Sequence, residues 1–216
     1  MTTAIVFDLD GTLADSTDCI VTAAQRIAQT YNLPSVEDED IRLLIGQPLS
    51  KMLHILFHIE GALLEETIAA YSREYVELTT THERLFDGSL PLLTKLREAG
   101  FTLAIATGKS QSGAENATKR LGLVPWFDSI HGILPNTPGK PDPAVLLRAM
   151  TALSVEPSDC VMVGDTTYDI DLAQAVGVRT IGVSWGVHST KRLRDREPTF
   201  FAQDFEELEE YLLSMR

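Results

Sequence analysis

The sequence predicts an α/β fold in which a mostly parallel sheet is flanked by helices and interrupted by an all-helical insertion. A short apolar run, Ala4–Phe7, is typical of a buried strand. Residues 16–82 show helical periodicity and contain no run that alternates like a strand. From residue 89 onward, helical and strand-like patterns alternate, which is typical of parallel sheets whose crossover helices cover both faces.

The first predicted strand ends directly before two carboxylates. Asp8 follows the apolar run, and Asp10, Gly11 and Thr12 come next. Ligand sites in open α/β sheets gather beyond the carboxyl ends of the strands. Two anionic groups this close resist burial unless a cation, a proton or a positive environment compensates them. The pattern therefore indicates a chemical site, with a solvated Asp-Gly turn as the alternative.

The insertion is predicted to contain four helices. In the first and last, apolar residues step by three or four along one face: Ile20, Ala24, Ile27 and Tyr31, then Leu64, Ile68, Tyr71, Tyr75 and Leu78. Between them, Ser35 predicts the start of a short helix that ends at a left-handed Gly46, and another short helix is centred near Leu53. Loop residues at 11–12 and 86–89 suit a two-stranded hinge. We therefore expect a core of residues 1–15 and 83–216 and a helical unit of residues 16–82.

The remaining elements are predicted from apolar periodicity and from helix start and stop residues. They are strands over 103–106, 160–163 and 179–183, helices that stop at Gly100, Gly122 and Gly177, and helices that start at Asp142-Pro143 and at Asp204. Because parallel strands share one carboxyl edge, we expect Asp8, Thr107 and Asp165 to converge there.

Composition narrows the class of protein. The 216 residues are 44% hydrophobic, which is enough for a full core. A net charge of -13, from 31 acidic and 18 basic residues, argues against a nucleic-acid partner. No targeting segment or stretch of about 18 apolar residues is present, so we expect no membrane partner and a cytoplasmic location. Cys19 and Cys160 have no metal-ligand spacing and are interpreted as packing residues.

Four ordered motifs make the chain resemble the haloacid dehalogenase superfamily. They are residues 8–13 (DLDGTL), 106–109 (ATGK), 140–143 (KPDP) and 164–169 (GDTTYD). The neighbourhoods of these motifs look most like the branch that contains phosphoglycolate phosphatase and the sugar-phosphate phosphatases and mutases. The resemblance covers nearly the whole chain. It implies a Rossmann-like core and identifies the insertion 16–82 as a helical cap.

The resemblance also implies roles for the carboxylates. Asp8 would be the nucleophile that forms an aspartyl-phosphate, and the side chain of Asp10 would act as general acid and base. Mg²⁺ would be held by the Asp8 carboxylate, the Asp10 backbone carbonyl and Asp165. Asp169 would lie in the outer shell, with an N-cap of the helix over 170–176 as its alternative role.

Further positions match the phosphate-binding and substrate-binding residues of the superfamily. Thr107, Gly108 and Lys140 would bind the phosphoryl group, with an ordinary surface lysine as the alternative for Lys140. Gln47 lies in a loop that often contacts the rest of the substrate, although its neighbours also fit simple helix punctuation. Lys109 would contact phosphate or substrate, or else cap loop carbonyls or face water.

These residues predict a magnesium-dependent phosphoric monoester hydrolase. Its partner would be a small phosphorylated metabolite, phosphoglycolate-like or a sugar phosphate, and the chain would be a monomer or homodimer. A phosphomutase is the main alternative. A phosphonate hydrolase using Lys51, a 2-haloacid dehalogenase and a non-catalytic binding protein are weaker ones.

Two further features of the sequence bear on the site. The segment 131–136 has no acidic residue after Gly132, whereas members of the superfamily frequently carry one there. The histidines show no zinc spacing and are interpreted as packing or surface residues: His54, His58, His82, His131 and His188.

Overall fold

The computed structural model describes residues 4–216, so residues 1–3 of the predicted core lie outside the described part of the chain. The main sheet is parallel throughout, and its strands are, in order across it, β5 (Ser129–Ile133), β4 (Thr102–Ser110), β1 (Ala4–Phe7), β6 (Cys160–Gly164), β7 (Arg179–Val183) and β8 (Phe200–Ala202). The apolar first strand therefore lies between β4 and β6, where both of its edges are hydrogen-bonded.

Helices cover both faces of this sheet. They are α5 (Ser89–Glu98), α6 (Gln111–Arg120), α7 (Ala144–Leu153), α8 (Thr167–Gln174), α9 (Thr190–Arg194) and α10 (Phe205–Ser214). Side chains alternate across a strand, so Ile5 and Phe7 join one buried cluster while Ala4 and Val6 join the other. The predicted fold class, a Rossmann-like parallel sheet flanked by helices, is confirmed.

The insertion folds as helices around its own apolar cluster. The helices are α1 (Thr17–Thr30), α2 (Asp38–Arg42), α3 (Leu49–Phe57) and α4 (Gly61–His82), and Ile27, Ile41 and Leu53 are buried among them. Two short antiparallel strands, β2 (Ala14–Asp15) and β3 (Arg84–Leu85), form the two chain crossings to the sheet. Both crossings therefore start close to the carboxyl edge of β1.

Some predicted boundaries were wrong. Ser35 does not start α2, which begins at Asp38 with Glu37 as its N-cap; three acidic residues in the first turn face the positive end of the helix dipole. Pro143, rather than Asp142, is the N-cap of α7, although the Asp142 carboxylate still accepts a hydrogen bond from the Ala144 N–H at 2.9 Å. Gly46 has the expected left-handed conformation, with a φ of +97°, but it does not end α2, which stops at Arg42 with Leu43 as its C-cap.

The sequence reasoning also missed several elements, among them two 3-10 turns, Val124–Trp126 and Pro157–Asp159. Strand β5 contains Ser129, His131 and Gly132 and lies at a sheet edge, so it lacks an apolar alternation. Strand β8 has three residues and α9 has five, too few for a period to show.

Cys19 and Cys160 are both buried and unpaired, as expected of packing residues. Within residues 4–216, no helix is both long and apolar enough to cross a bilayer.

Candidate active site

Three parallel strands bring polar side chains to one edge of the sheet. Asp8 directly follows β1, Asp165 directly follows β6, and Thr107 lies in β4 where its pairing with β5 becomes irregular. The Asp8 N–H donates to the Val163 carbonyl at 2.9 Å, which extends the β1–β6 pairing as far as Asp8. All three side chains are buried. The convergence expected from the parallel sheet is therefore observed.

A cluster of three carboxylates forms around this edge. Asp8, Asp165 and Asp169 each place one carboxylate oxygen within 4.8 Å of the others, and each is at most 1% exposed. The Lys140 ammonium lies 2.7 Å from Asp8 Oδ1 and 2.5 Å from Asp169 Oδ1, and its side chain is fully buried. Lys140 is therefore not an ordinary surface lysine.

Burial governs the electrostatics of the cluster. Burial raises the pKa of Asp8 to about 7; Lys140 opposes the rise, and Asp169 and Asp10 add to it. Burial, with Asp8 and Asp169, also raises the pKa of Asp165 well above its usual value. When all are ionised, three carboxylates against one ammonium leave two negative charges. A divalent cation would cancel them, and the oxygen-only donors suit a hard ion such as Mg²⁺.

Hydrogen bonds fix the orientation of Asp165. Its Oδ1 accepts from the Thr12 hydroxyl at 2.9 Å, and its Oδ2 accepts from the Val187 N–H at 2.7 Å. Gly11, with φ of +77°, passes so close that a Cβ there would lie 2.2 Å from Asp165 Oδ2. Position 11 of the 8–13 motif therefore requires glycine, because a side chain there would collide with the Asp165 carboxylate of the 164–169 motif.

Asp169 has a different role from the predicted N-cap. Helix α8 begins at Thr167 with Thr166 as its N-cap, and Asp169 is the N3 residue of a capping box. Asp169 Oδ2 accepts from the Thr166 N–H at 3.1 Å and from the Thr166 hydroxyl at 2.7 Å, while Oδ1 faces Lys140. One oxygen of Asp169 is thus held inside the capping box, and the other is held by an ammonium.

Asp10 lies beside the cluster and is bound by other groups. Its Oδ1 accepts from the Ser16 hydroxyl at 2.5 Å, and its Oδ2 lies 2.9 Å from the Lys109 ammonium. Lys109 also donates to the Tyr75 hydroxyl at 2.9 Å. The two alternatives given for Lys109, capping loop carbonyls or facing water, are wrong, because the side chain is mostly buried between Asp10 and the insertion.

Tyr75 continues this chain of contacts and was missed as a site residue. Its hydroxyl donates to Glu83 Oε1 at 2.9 Å, and Glu83 is ion-paired to Arg120. Burial and the charge of Asp10 raise the pKa of Tyr75 well above its usual value, so the phenol stays protonated and available as a donor. The helical pattern marked Tyr75 only as part of an apolar face, and no spacing rule relates it to Lys109.

The insertion contacts the core directly over the site. A Cβ on Gly108 would lie 2.2 Å from the Gly46 carbonyl oxygen. The loop that follows α2 therefore packs directly against the last residues of β4. The next residue, Gln47, has an amide oxygen that is buried and has no hydrogen-bond partner within the described residues. The Leu43 carbonyl accepts from the Tyr168 hydroxyl at 2.9 Å and lies 3.2 Å from His188 Nε2, a second contact between the two units.

A cavity of about 900 Å³ lies between the insertion and the sheet edge. Asp8, Asp10, Thr107 and Gly108 line its core side, and side chains of α1, α3 and α4 line the opposite side. Of the sequence-predicted site residues, Lys140, Asp165 and Asp169 lie behind Asp8, and Gln47 and Lys109 face the cavity with it. A substrate in this cavity would reach the Asp8 carboxylate from the insertion side.

Comparison with known proteins places the chain in a family. The phosphoglycolate phosphatase of Xanthomonas campestris pv. campestris is 30% identical over 202 residues, covering 93% of this chain and 90% of the relative. The protein named "Probable phosphatase IndB" from Dickeya dadantii is 33% identical over 208 residues, covering 94% and 90%. A solved hydrolase of the haloacid dehalogenase-like family from Streptococcus pneumoniae superposes with a TM-score of 0.86 at 28% identity, covering 98% of each chain. Residues 5–183 match the family described as haloacid dehalogenase-like hydrolase, and this chain belongs to that family.

Proposed function

We propose that this hydrolase is a magnesium-dependent phosphatase that acts on a small phosphorylated metabolite, phosphoglycolate-like or a sugar phosphate, through an aspartyl-phosphate on Asp8. The observation that carries the proposal is the buried Asp8–Lys140–Asp169 group beside Asp165, which opens into the cavity. The phosphatase names of the relatives support the class of reaction, a phosphoric ester hydrolysis.

Mg²⁺ fits the donor set of this site. The Asp8 and Asp165 carboxylates and the Asp10 backbone carbonyl would hold the ion, and Asp169 would orient the shell through its contacts with Lys140 and Thr166. The two uncompensated negative charges of the cluster match one divalent cation. When bound, Mg²⁺ neutralises charge on the nucleophile and on the phosphoryl oxygens.

The residues of the chain then divide the reaction into two steps. In the first, an Asp8 oxygen forms a bond to phosphorus while the bond from phosphorus to the leaving oxygen breaks, and Asp10 gives its proton to that oxygen. In the second, Asp10 takes a proton from the attacking water, and the phosphorus–Asp8 bond breaks. Lys140, the Thr107 hydroxyl and the Gly108 N–H stabilise the transferring phosphoryl group.

We also propose that residues 16–82 act as a cap on a catalytic core made of residues 1–15 and 83–216. The contact of Gly46 with Gly108 and the two-strand crossing support this division. Gln47 would contact the substrate from the cap, and Lys109 would contact it from the core. A cytoplasmic location and a monomeric or homodimeric state stay predictions.

The geometry also bears on the alternative reactions. A 2-haloacid dehalogenase would have no use for the cation-matched carboxylates, so the cluster disfavours it. A phosphonate hydrolase needs a desolvated lysine for a Schiff base, whereas Lys51 of α3 is exposed at the cavity. A phosphomutase would share the site, and analysis of the products separates it from a phosphatase.

The test is hydrolysis of p-nitrophenyl phosphate by Asp8→Asn. We expect no turnover by this variant, normal turnover by the exposed-residue control Asp87→Asn, and loss of wild-type activity in EDTA with recovery on adding Mg²⁺. Circular dichroism checks that each variant is folded. Residual turnover equal to wild type in Asp8→Asn would reject the nucleophile, and equal turnover in EDTA would reject the metal.

A further inference from the structure

The cavity over Asp8 carries information about the leaving group of the substrate. Resting on the phosphatase function proposed above, we propose that this leaving group is uncharged, presents an apolar face to the cap, and carries a hydroxyl or N–H donor. The inference favours neutral alcohols, such as sugars or aromatic alcohols, over glycolate or a second phosphate. It follows from three features of the cavity: its charges, its apolar wall and one buried amide.

Of the basic side chains that line the cavity, two are already ion-paired and the third is exposed. In the described part of the chain they are Lys51, Lys109 and Arg120. Lys109 is bound by Asp10 and Tyr75, and Arg120 is paired with Glu83, whose side chain is fully buried. Lys51 is exposed on α3. A carboxylate taken out of water needs a cation or several N–H donors, so an anionic leaving group finds no matching charge inside.

The cap wall of the cavity is apolar. Its less exposed part is lined by Ile20, Ile45, Leu49, Met52, Ile68 and Tyr71, whereas the polar Ser50, Lys51 and Ser72 on the same side are exposed. Removing apolar ligand surface from water against such a wall is favourable in proportion to the area buried, whereas a carboxylate there would lose its hydration without return. The cavity, at about 900 Å³, is also at the upper end of the range of small-molecule sites, which is roughly 300–1,000 Å³. A two-carbon leaving group would leave most of it unfilled.

Gln47 supplies a buried polar atom without a hydrogen-bond partner on this side of the cavity. Its amide oxygen is buried, has no partner within residues 4–216, and belongs to a residue that lines the cavity. A buried acceptor that stays unpaired loses its hydration without a compensating hydrogen bond. A hydroxyl or N–H on the leaving group would satisfy it once the Gln47 side chain turns this oxygen towards the cavity.

The experiment compares kcat/KM for three substrates of matched chemistry: phosphoglycolate, 2-hydroxyethyl phosphate and benzyl phosphate. The second replaces the carboxylate of the first by a neutral hydroxymethyl group, and the third adds an apolar ring. We expect phosphoglycolate to be the poorest and each neutral substrate to exceed it by about tenfold or more. Phosphoglycolate equal to or better than 2-hydroxyethyl phosphate would overturn the inference alone. No turnover of any of the three would overturn the proposed function itself.

Two variants test the wall and the amide separately. Ile68→Lys adds a cation to the cap wall and should raise the ratio of phosphoglycolate to 2-hydroxyethyl phosphate turnover about tenfold. The control Leu63→Lys adds the same charge to an exposed part of α4 outside the cavity and should leave the ratio unchanged. Gln47→Leu should lower the ratio of kcat/KM for 2-hydroxyethyl phosphate to that for benzyl phosphate about tenfold, because only the first leaving group carries a donor. An unchanged ratio in Ile68→Lys, or equal losses in Gln47→Leu, would contradict the assignment.

Discussion

Replacing Lys140 by methionine removes the cation that the carboxylate cluster is built around. The ammonium is fully buried and lies 2.7 Å from Asp8 and 2.5 Å from Asp169. Methionine nearly preserves the volume, so the change is mainly one of charge. Removing one partner from a buried ion pair costs about 3–5 kcal/mol, because the remaining charge is left uncompensated. In metal-free protein at pH 8 we expect Lys140→Met to lower the free energy of unfolding by about that amount.

The loss should depend on pH in a definite direction. The pKa values of Asp8 and Asp165 are raised in the folded state, and without Lys140 the rise for Asp8 is larger. Stability therefore falls as pH rises from the unfolded-state pKa of these groups to their folded-state pKa. The cost at pH 5, where the folded carboxyls are protonated, should therefore be smaller than at pH 8. Adding Mg²⁺ at pH 8 should restore part of the loss, because the ion binds only the folded cluster.

Urea unfolding at pH 5 and pH 8, in EDTA and in Mg²⁺, measures both effects. The matched control is Lys191→Met, which removes an ammonium whose side chain is 84% exposed in a surface pair with Asp195. The control should change stability little at either pH. A Lys140→Met variant no less stable than this control at pH 8, or one with a larger loss at pH 5, would refute the reasoning.

Three other outcomes are expected. The pKa of Asp8 is raised from 3.8 to about 7, so between these pH values folded Asp8 keeps a proton that the unfolded chain has lost. Metal-free wild type should therefore lose stability relative to Asp8→Asn as pH rises from 4 through 7. Urea midpoints of both proteins across that range measure this, and midpoints that change with pH in the same way in both would contradict it. Gly108→Ala would place a methyl group against the Gly46 carbonyl and should lower kcat/KM while the protein stays folded. The control Gly113→Ala, within α6, should lower kcat/KM much less, and steady-state kinetics measure both variants. Asp10→Asn should slow both formation and hydrolysis of the phosphoenzyme by about 10²–10⁴, which rapid quench measures, and an unchanged rate for either step would disprove the double role.

The fold was predictable because its signals are local. Ala4–Phe7 is apolar at every position, as a strand buried on both faces must be, and the glycine and N-cap positions separate the later elements. The parallel-sheet rule then placed Asp8, Thr107 and Asp165 at one edge without any knowledge of loops. Strand β5 was not predictable in this way, because Ser129 and His131 at a half-covered edge give no alternation.

The contacts within the site were less predictable. Lys140 is 132 residues from Asp8, and the ion pair between them depends on the path of the loop that precedes α7. Only the motif resemblance suggested that Lys140 belonged to the site. Tyr75 reaches Lys109 across 34 residues and from a different structural unit. Such pairings are set by how the insertion rests on the core, which no periodicity within either segment encodes.

The position of the insertion links two properties of the site. Lys109 binds both the Asp10 carboxylate and the Tyr75 hydroxyl, so a movement of α4 away from the sheet edge would remove one of the two partners that hold the ammonium. The same movement would withdraw the apolar wall and the Gln47 amide from the cavity. Groups that we propose for proton transfer and for leaving-group recognition therefore come together in a single arrangement of the two units. A leaving group that packs against the apolar wall would stabilise the arrangement in which Lys109 contacts Asp10. Binding energy from the leaving group would then contribute to the geometry around the phosphorus atom.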